Sequence, residues 1–373
     1  MIIAGEVSGD MHGSALINSI KELEPNMQIS GIGGNLMQSA GMELIYNIKD
    51  MAFLGFAEVV KHIPLIKRVQ KNLLKKIQNE EIKEVVLIDY PGFNLNIAPK
   101  IKKLGAKVYY YISPQIWAWG QGRVKKIRKY IDKMIVLFPF EKEFYQKAGV
   151  EVEYVGHPLI DRVAEYNFLN RDELFQKLKL DNNKEILLVM PGSRKQEVER
   201  IFPEVIKGAK KIADKFNLQI VVACSENIDE DILQNLAQGI NFVLSKGYNY
   251  DLLANAKFGL IKSGTSTLET GLFQLPSLVV YKTGMLTYYI GRTIIKVKNL
   301  AMANIILGET VLPELIQSDV NKEKIFIEAD NILSSKVMYS TIKEKLSQIK
   351  DKLGSVGASR RAAEIIIAGI NEA

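Results

Sequence analysis

A single cysteine, Cys224, among 373 residues rules out an intrachain disulfide and fits a reducing, cytoplasmic compartment. Histidine is almost as scarce. His12, His62 and His157 are scattered and make no metal-ligand pattern, so neither a structural nor a catalytic metal is expected. No apolar run is long enough, or free enough of polar residues, to span a bilayer as a helix. The opening stretch Met1-Ile2-Ile3-Ala4-Gly5-Glu6 lacks a basic leader or cleavage pattern and reads as a short strand entering a glycine turn. Internal repeats and low-complexity segments are missing as well. What remains is ordinary globular composition, 47% hydrophobic and 24% charged, in a chain long enough for two domains.

The net charge of +7 is unevenly placed. Residues 61–133 hold 17 Lys and Arg against 5 Asp and Glu, a surplus larger than that of the whole chain. A basic face of this kind attracts nucleic acid, acidic lipid or a phosphorylated substrate, and a merely solvated surface is the plain alternative.

Short apolar runs alternate with helical patterns. Strands are predicted at 84–89, 107–113, 133–138 and 152–155, then at 185–190, 218–223, 241–244, 258–262 and 277–281, with amphipathic helices such as 200–216 and 229–237 between them. The alternation predicts an α/β fold with parallel sheets covered on both faces. The helical, charged stretch 159–180 separates the two sets. The expected division is 1–160, 161–350 and a last segment 351–373, whose helix packs back on the first domain or on a neighbouring chain, which leaves a homodimer open.

In open α/β sheets, ligands collect beyond the carboxyl ends of the strands, so the residues after each strand carry the search. Gly5-Glu6-Val7-Ser8-Gly9-Asp10 and Gly31-Ile32-Gly33-Gly34 both fail the dinucleotide fingerprint, which counts against a nicotinamide dehydrogenase. Asp10 suits a helix cap, whereas Glu6 at a strand end is a candidate for chemistry. Asp89 ends a strand before Tyr90-Pro91-Gly92-Phe93-Asn94; it can take a proton from a substrate hydroxyl or brace the turn. Ser113-Pro114-Gln115-Ile116-Trp117-Ala118-Trp119 holds both tryptophans and precedes a helix bearing Arg123, Lys125, Lys126, Arg128 and Lys129. These aromatics can stack on bases, line a sugar site, meet lipid, or pack a core. In 59–77, Val59, Ile63, Ile66, Val69, Leu73, Leu74 and Ile77 recur at helical spacing among lysines, a pattern that fits a membrane interface or core packing.

In the second half, Pro191-Gly192-Ser193-Arg194 offers backbone N–H groups, a hydroxyl and a guanidinium suited to a diphosphate. Ser263-Gly264-Thr265-Ser266-Thr267-Leu268-Glu269 opens a helix whose N–H groups can hold phosphate, with Glu269 placed to accept from vicinal ribose hydroxyls. Together they suggest a nucleoside diphosphate.

With these motifs in hand, the sequence resembles the lipid-A-disaccharide synthase family. The resemblance runs in order through Ala4–Asp10, Leu87–Asn94, Ser113–Ile127, Val155–Leu159, Pro191–Arg194, Ser263–Glu269, Asn304–Gly308 and Pro313–Gln317. It implies a GT-B fold of two Rossmann-like domains facing across a cleft, the first on the acceptor and membrane side, the second binding the UDP-sugar. It also implies metal-free, cofactor-free inverting transfer from UDP-2,3-diacylglucosamine to 2,3-diacylglucosamine 1-phosphate, giving a β-1,6 disaccharide and UDP. Asp89 would be the base, Glu6 a second base or orienting carboxylate, and Arg194 the support for the leaving diphosphate. Gly192, Ser193, Ser263, Gly264, Thr265, Ser266, Glu269, Asn304, Glu314 and Gln317 would lie on the UDP side. Ser8, Asp10, Asn94, Gln115, Trp117, Trp119 and Arg123 would lie on the acceptor and lipid side. Ile66, Val69, Leu73 and Leu74 would touch the membrane. The implied setting is the inner membrane of a Gram-negative bacterium, contacted peripherally, with no nucleic-acid partner. Three departures stand out: Gly92 where many members carry a second acid, Glu309 where a basic residue is common, and a first strand so short that the chain reads as beginning a few residues late. The competing readings are a UDP-N-acetylglucosamine epimerase or cell-wall precursor transferase, and a non-catalytic protein binding nucleotide or RNA at a membrane.

Overall fold

Runs rich in Val, Ile, Leu and Tyr become strands, and the amphipathic segments between them become helices that cover the sheets. The structure is a computed structural model that describes residues 1–51, 63–118, 120–285, 288, 292–293 and 297–371. It divides into two units, Met1–Ala164 with Leu353–Ala373, and Glu165–Lys352.

The strands of the first unit are β1 (Ile2–Ala4), β2 (Ser30–Gly33), β3 (Glu43–Asn47), β4 (Glu84–Ile88), β5 (Lys107–Tyr111), β6 (Lys133–Val136) and β7 (Val152–Tyr154). They form one parallel sheet in the order β3-β2-β1-β4-β5-β6-β7. Its helices are α1 (Val7–Leu23), α2 (Asn35–Ser39), α3 (Ile63–Asn79), α4 (Pro91–Lys103), α5 (Val124–Tyr130), α6 (Pro139–Lys147) and α7 (Pro158–Ala164). The glycine-rich stretch that fails as a fingerprint is itself strand β2: a Cβ on Gly31 would lie 1.7 Å from the Ile2 carbonyl oxygen, so glycine lets β1 and β2 pair.

The second unit has strands β8 (Glu185–Met190), β9 (Leu218–Ala223), β10 (Val243–Ser245), β11 (Ala256–Lys262), β12 (Ser277–Tyr281) and β13 (Glu314–Ile316), parallel in the order β10-β9-β8-β11-β12-β13. Its helices are α8 (Arg171–Leu178), α9 (Lys195–Phe216), α10 (Glu230–Leu236), α11 (Asn249–Asn255), α12 (Thr265–Leu272), α13 (Met302–Leu307), α14 (Lys322–Leu333) and α15 (Lys336–Leu353). Helix α9 buries Val198, Ile201, Phe202, Val205, Ile206, Ala209 and Ile212, a stripe at helical spacing in which each large side chain contributes roughly 1.5–3 kcal/mol.

Each sheet reverses its strand order once, at β1/β4 in the first unit and at β8/β11 in the second. Connections leave such a pair in opposite directions, so the loops part and open a crevice at the carboxyl ends. Ala4 stands beside Ile88 there, and Met190 beside Ile261.

Helix α3 corrects one expectation. Val69 and Leu73 are fully buried in the core of the first unit, and Ile66 and Leu74 pack against that core, so this stripe is spent inside the protein and not on a bilayer. Lys67, Arg68, Lys71 and Lys75 stay exposed. Val59, Lys61 and His62 lie outside the described residues.

The last helix, α16 (Ala358–Asn371), belongs to the first unit and lies against α1. Ala358, Ala362 and Ala363 are fully buried, their small side chains allowing close approach. Gly369 carries no side chain because a Cβ would sit 1.9 Å from the Tyr109 hydroxyl, and its carbonyl accepts from Lys107 Nζ at 2.9 Å.

Candidate functional site

At the β1/β4 switch the chain places two carboxylates. Glu6 follows β1 as the residue preceding α1 and is exposed. Asp89 follows β4 with φ of 44°, and Tyr90 follows it at 46°. Two successive non-glycine residues in the left-handed region cost on the order of 1–2 kcal/mol each and persist only where the surroundings hold them. Here the Asp89 carbonyl accepts from Tyr110 Oη at 2.5 Å and from Asn94 Nδ2 at 2.8 Å, while its N–H donates to Tyr111. The ring of Tyr90 fills the space over Gly5, where a Cβ would lie 2.1 Å from it. Burial, with the charge of Glu6 added, raises the Asp89 carboxyl from 3.8 to about 6. Gly92 looks onto open space, with nothing within 4 Å of where a Cβ would be.

Two residues expected on the acceptor side serve the scaffold. Asp10 is buried and accepts from the N–H groups of Gly34, Leu36 and Met37 at 2.7, 3.1 and 3.0 Å, so it caps α2. Asn94 is fully buried and ties the turn after β4 by donating to Ile88 and Asp89. Ser8 is exposed near Glu6 in the first turn of α1.

The loop after β5 begins with Ile112 at φ 64°, a strained setting for a β-branched residue. Beneath the loop lies Glu141, in the first turn of α6, which nothing in the sequence singled out. Its carboxylate accepts from Ser113 Oγ at 2.6 Å, Trp117 Nε1 at 3.1 Å, and the N–H groups of Leu137 and Phe138 at 3.2 Å each. Burial raises it to about 7, and those hydrogen bonds oppose the rise. Trp117 is therefore a core side chain, packed edge-on against Phe140 and bonded to Glu141, and not a surface for lipid. Gln115 and Arg123 are exposed, and Trp119 lies outside the described residues.

At the β8/β11 switch the second unit holds a cavity of about 560 Å³. Gly192, Ser193 and Arg194 line one side; Gly264, Thr265, Ser266 and Glu269 line another. Both motifs thus face one space. Gly192 has φ of 117°, which favours glycine, and α12 directs its first turn at the cavity. Ser263 does not line it; its buried hydroxyl donates to the Leu300 carbonyl at 3.1 Å. Lys262, Glu197, Asn249 and the loop Cys224-Ser225-Glu226-Asn227, which no sequence motif marked, also line the cavity. Lys262 ends β11, so the rule of searching beyond strand ends, applied one residue earlier, finds it.

Asn304, Glu314 and Gln317 are internal braces. Asn304 is fully buried, donating to Leu312 and Glu314 and accepting from the N–H groups of Val311 and Leu312. Glu314 accepts from the N–H groups of Leu300 and Ala301, at the start of α13. Gln317 exchanges two hydrogen bonds with the Thr283 backbone. Their polar atoms hydrogen-bond within the fold, and none of the three lines the cavity. Glu309 pairs with Lys345.

Among the described residues no group of three or more His, Cys, Asp or Glu is placed to hold a metal, and no helix is long and apolar enough to cross a membrane.

Comparison with known proteins agrees with this geometry. The family model for lipid-A-disaccharide synthetase matches residues 1–367. The lipid-A-disaccharide synthase of Geobacter metallireducens is 39% identical over 370 residues, covering 98% of this chain and 96% of that protein. Solved structures share the fold at low identity. The UDP-GlcNAc 2-epimerase of Neisseria meningitidis bound to UDP-GlcNAc has a TM-score of 0.65 at 12% identity, covering 98% of this chain and 99% of that one. The calicheamicin glycosyltransferase CalG4 has 0.62 at 14%, covering 98% and 96%. Those neighbours establish a GT-B fold without choosing among its chemistries. The whole-length family match does choose: the chain belongs to the lipid-A-disaccharide synthase family, hexosyltransferases of lipid A biosynthesis.

Proposed function

We propose that the chain joins UDP-2,3-diacylglucosamine to 2,3-diacylglucosamine 1-phosphate with inversion, and that its two units divide the work. The second unit holds UDP: the glycine loop at Gly192-Ser193 and the first turn of α12 take the diphosphate, Glu269 takes ribose, and Arg194 supports charge on the departing diphosphate. The first unit supplies the base. Asp89 removes the proton of the acceptor 6-hydroxyl as that oxygen attacks the anomeric carbon and UDP leaves; Glu6 orients the acceptor and keeps Asp89 basic enough to act. What carries this is the placement of a partly buried carboxylate, raised to about 6, at the switch point of the first sheet. A base poised near 6 is ionised at neutral pH yet still takes a proton readily.

Both substrates are lipids, which makes peripheral contact with a bilayer part of the same proposal. Its support is the exposed cationic side of α3 with Gln115, Arg123 and the basic α5 nearby in sequence. The test is turnover with the two diacyl substrates. Asp89→Asn should lower kcat by about 10²–10⁴-fold with UDP affinity kept, whereas Arg194→Ala should weaken both. Near-normal turnover in folded Asp89→Asn would remove the base from this assignment.

A further inference from the structure

The second-unit cavity contains two cations among its lining residues, Arg194 and Lys262, and three carboxylates, Glu197, Glu226 and Glu269. A nucleoside diphosphate brings two or three negative charges into that space, so the cations and their present partners decide how well it is held. Arg194 is 73% exposed and its closest approach to Glu197 is 3.8 Å. Lys262 is different. Its side chain is 17% exposed, and Nζ lies 3.0 Å from Glu197 Oε2. A Cβ on Gly192 would sit 3.2 Å from that same Oε2 and 3.5 Å from Lys262 Cδ. A Cβ on Gly264 would sit 3.9 Å from Lys262 Nζ. The ammonium therefore lies between the two glycine loops, on the floor they share.

We propose that Lys262 is a third diphosphate-binding group, beside Arg194 and the backbone N–H groups, and that Glu197 holds it in place until the nucleotide arrives. The inference rests on the UDP reading given above and adds a residue and an exchange to it. Glu197 is the third residue of α9, where the helix dipole and two cations favour a carboxylate. An arriving diphosphate competes for those same positive groups. Binding then exchanges one ion pair for another: Lys262 turns from Glu197 to a phosphate oxygen, and Glu197 is left as the unfavourable charge. The Tyr281 ring centroid lies 5.9 Å from Nζ, within reach of a cation–π contact.

Calorimetric titration of the full chain with UDP and, in parallel, with uridine separates this from a structural role. Lys262→Met should weaken UDP by about tenfold and leave uridine unchanged, because only the diphosphate meets the ammonium. Lys262→Arg should restore most of the loss, and Glu197→Gln should tighten UDP relative to wild type. Equal affinity of wild type and Lys262→Met for UDP overturns the inference alone. Parallel loss of UDP and uridine in Lys262→Met makes the lysine a packing residue and overturns it as well. Wild type that binds neither ligand overturns the UDP reading, and the inference with it.

Discussion

Asp89 is destabilising for the fold in two respects: a left-handed backbone and a carboxyl whose ionisation burial opposes. The second has a definite pH signature. The unfolded carboxyl titrates near 3.8 and the folded one near about 6, so the folded state binds the proton more tightly. The contribution of this group to stability is greatest below 3.8, falls as pH climbs through that interval, and stays low above about 6. Asp89→Asn removes the charge and keeps a residue that tolerates positive φ. The variant should melt above wild type at pH 8 by on the order of 1–2 kcal/mol, with the gap closing as pH approaches 4. Thermal melts across pH would show this, and a constant gap would separate the effect from ionisation. Activity should move the opposite way, rising with pH through about 6 in wild type. The proposed base role and stability thus pull against each other at one side chain.

Among the elements, α3 shows what periodicity can and cannot say. Its apolar stripe fits a helix face, yet spacing alone does not name what the face meets; the core took it, and Val69, Leu73 and Ile77 are buried in one cluster with side chains of the sheet and of α4. The proposed membrane attraction then falls to the lysines. Wild type should float with anionic vesicles at low salt and release at high salt, and a Lys67→Glu, Lys71→Glu variant should float less. Flotation unaffected by salt and by these changes would exclude this helix face. Strands β4 to β12 were legible because apolar runs end in turn residues. β2, β3 and β13 were not: β2 is half glycine, β3 carries Glu43 and Asn47, and β13 has three residues. The site was legible where a motif follows a strand, as at Asp89 and Pro191-Gly192-Ser193-Arg194. It was illegible where a side chain's partners are brought to it only by folding. Glu141 sits in an ordinary amphipathic stretch, and only folding brings Ser113 and Trp117 onto it. The internal hydrogen bonds of Asn304 and Glu314 are likewise invisible until the chain is folded.

On the scale of the whole molecule, the chain passes from the first unit to the second and back again. Removing 353–373 uncovers α1 and takes away buried Ala358, Ala362, Ala363 and Ile366. Calorimetry of a chain ending at 352 should show the first unit's transition lowered or lost and the second's kept, since that unit's own residues remain. A single transition lowered as one would show the two units melting together.

The position of α16 also sets an order in time. Synthesis runs from the amino end at about 5–20 residues each second, so α1 leaves the ribosome tens of seconds before the helix that covers it. The second unit can complete its own fold in that interval, although it is made later than most of the first. The first unit is begun first and closed last, and for that interval α1 stands without the helix that packs on it.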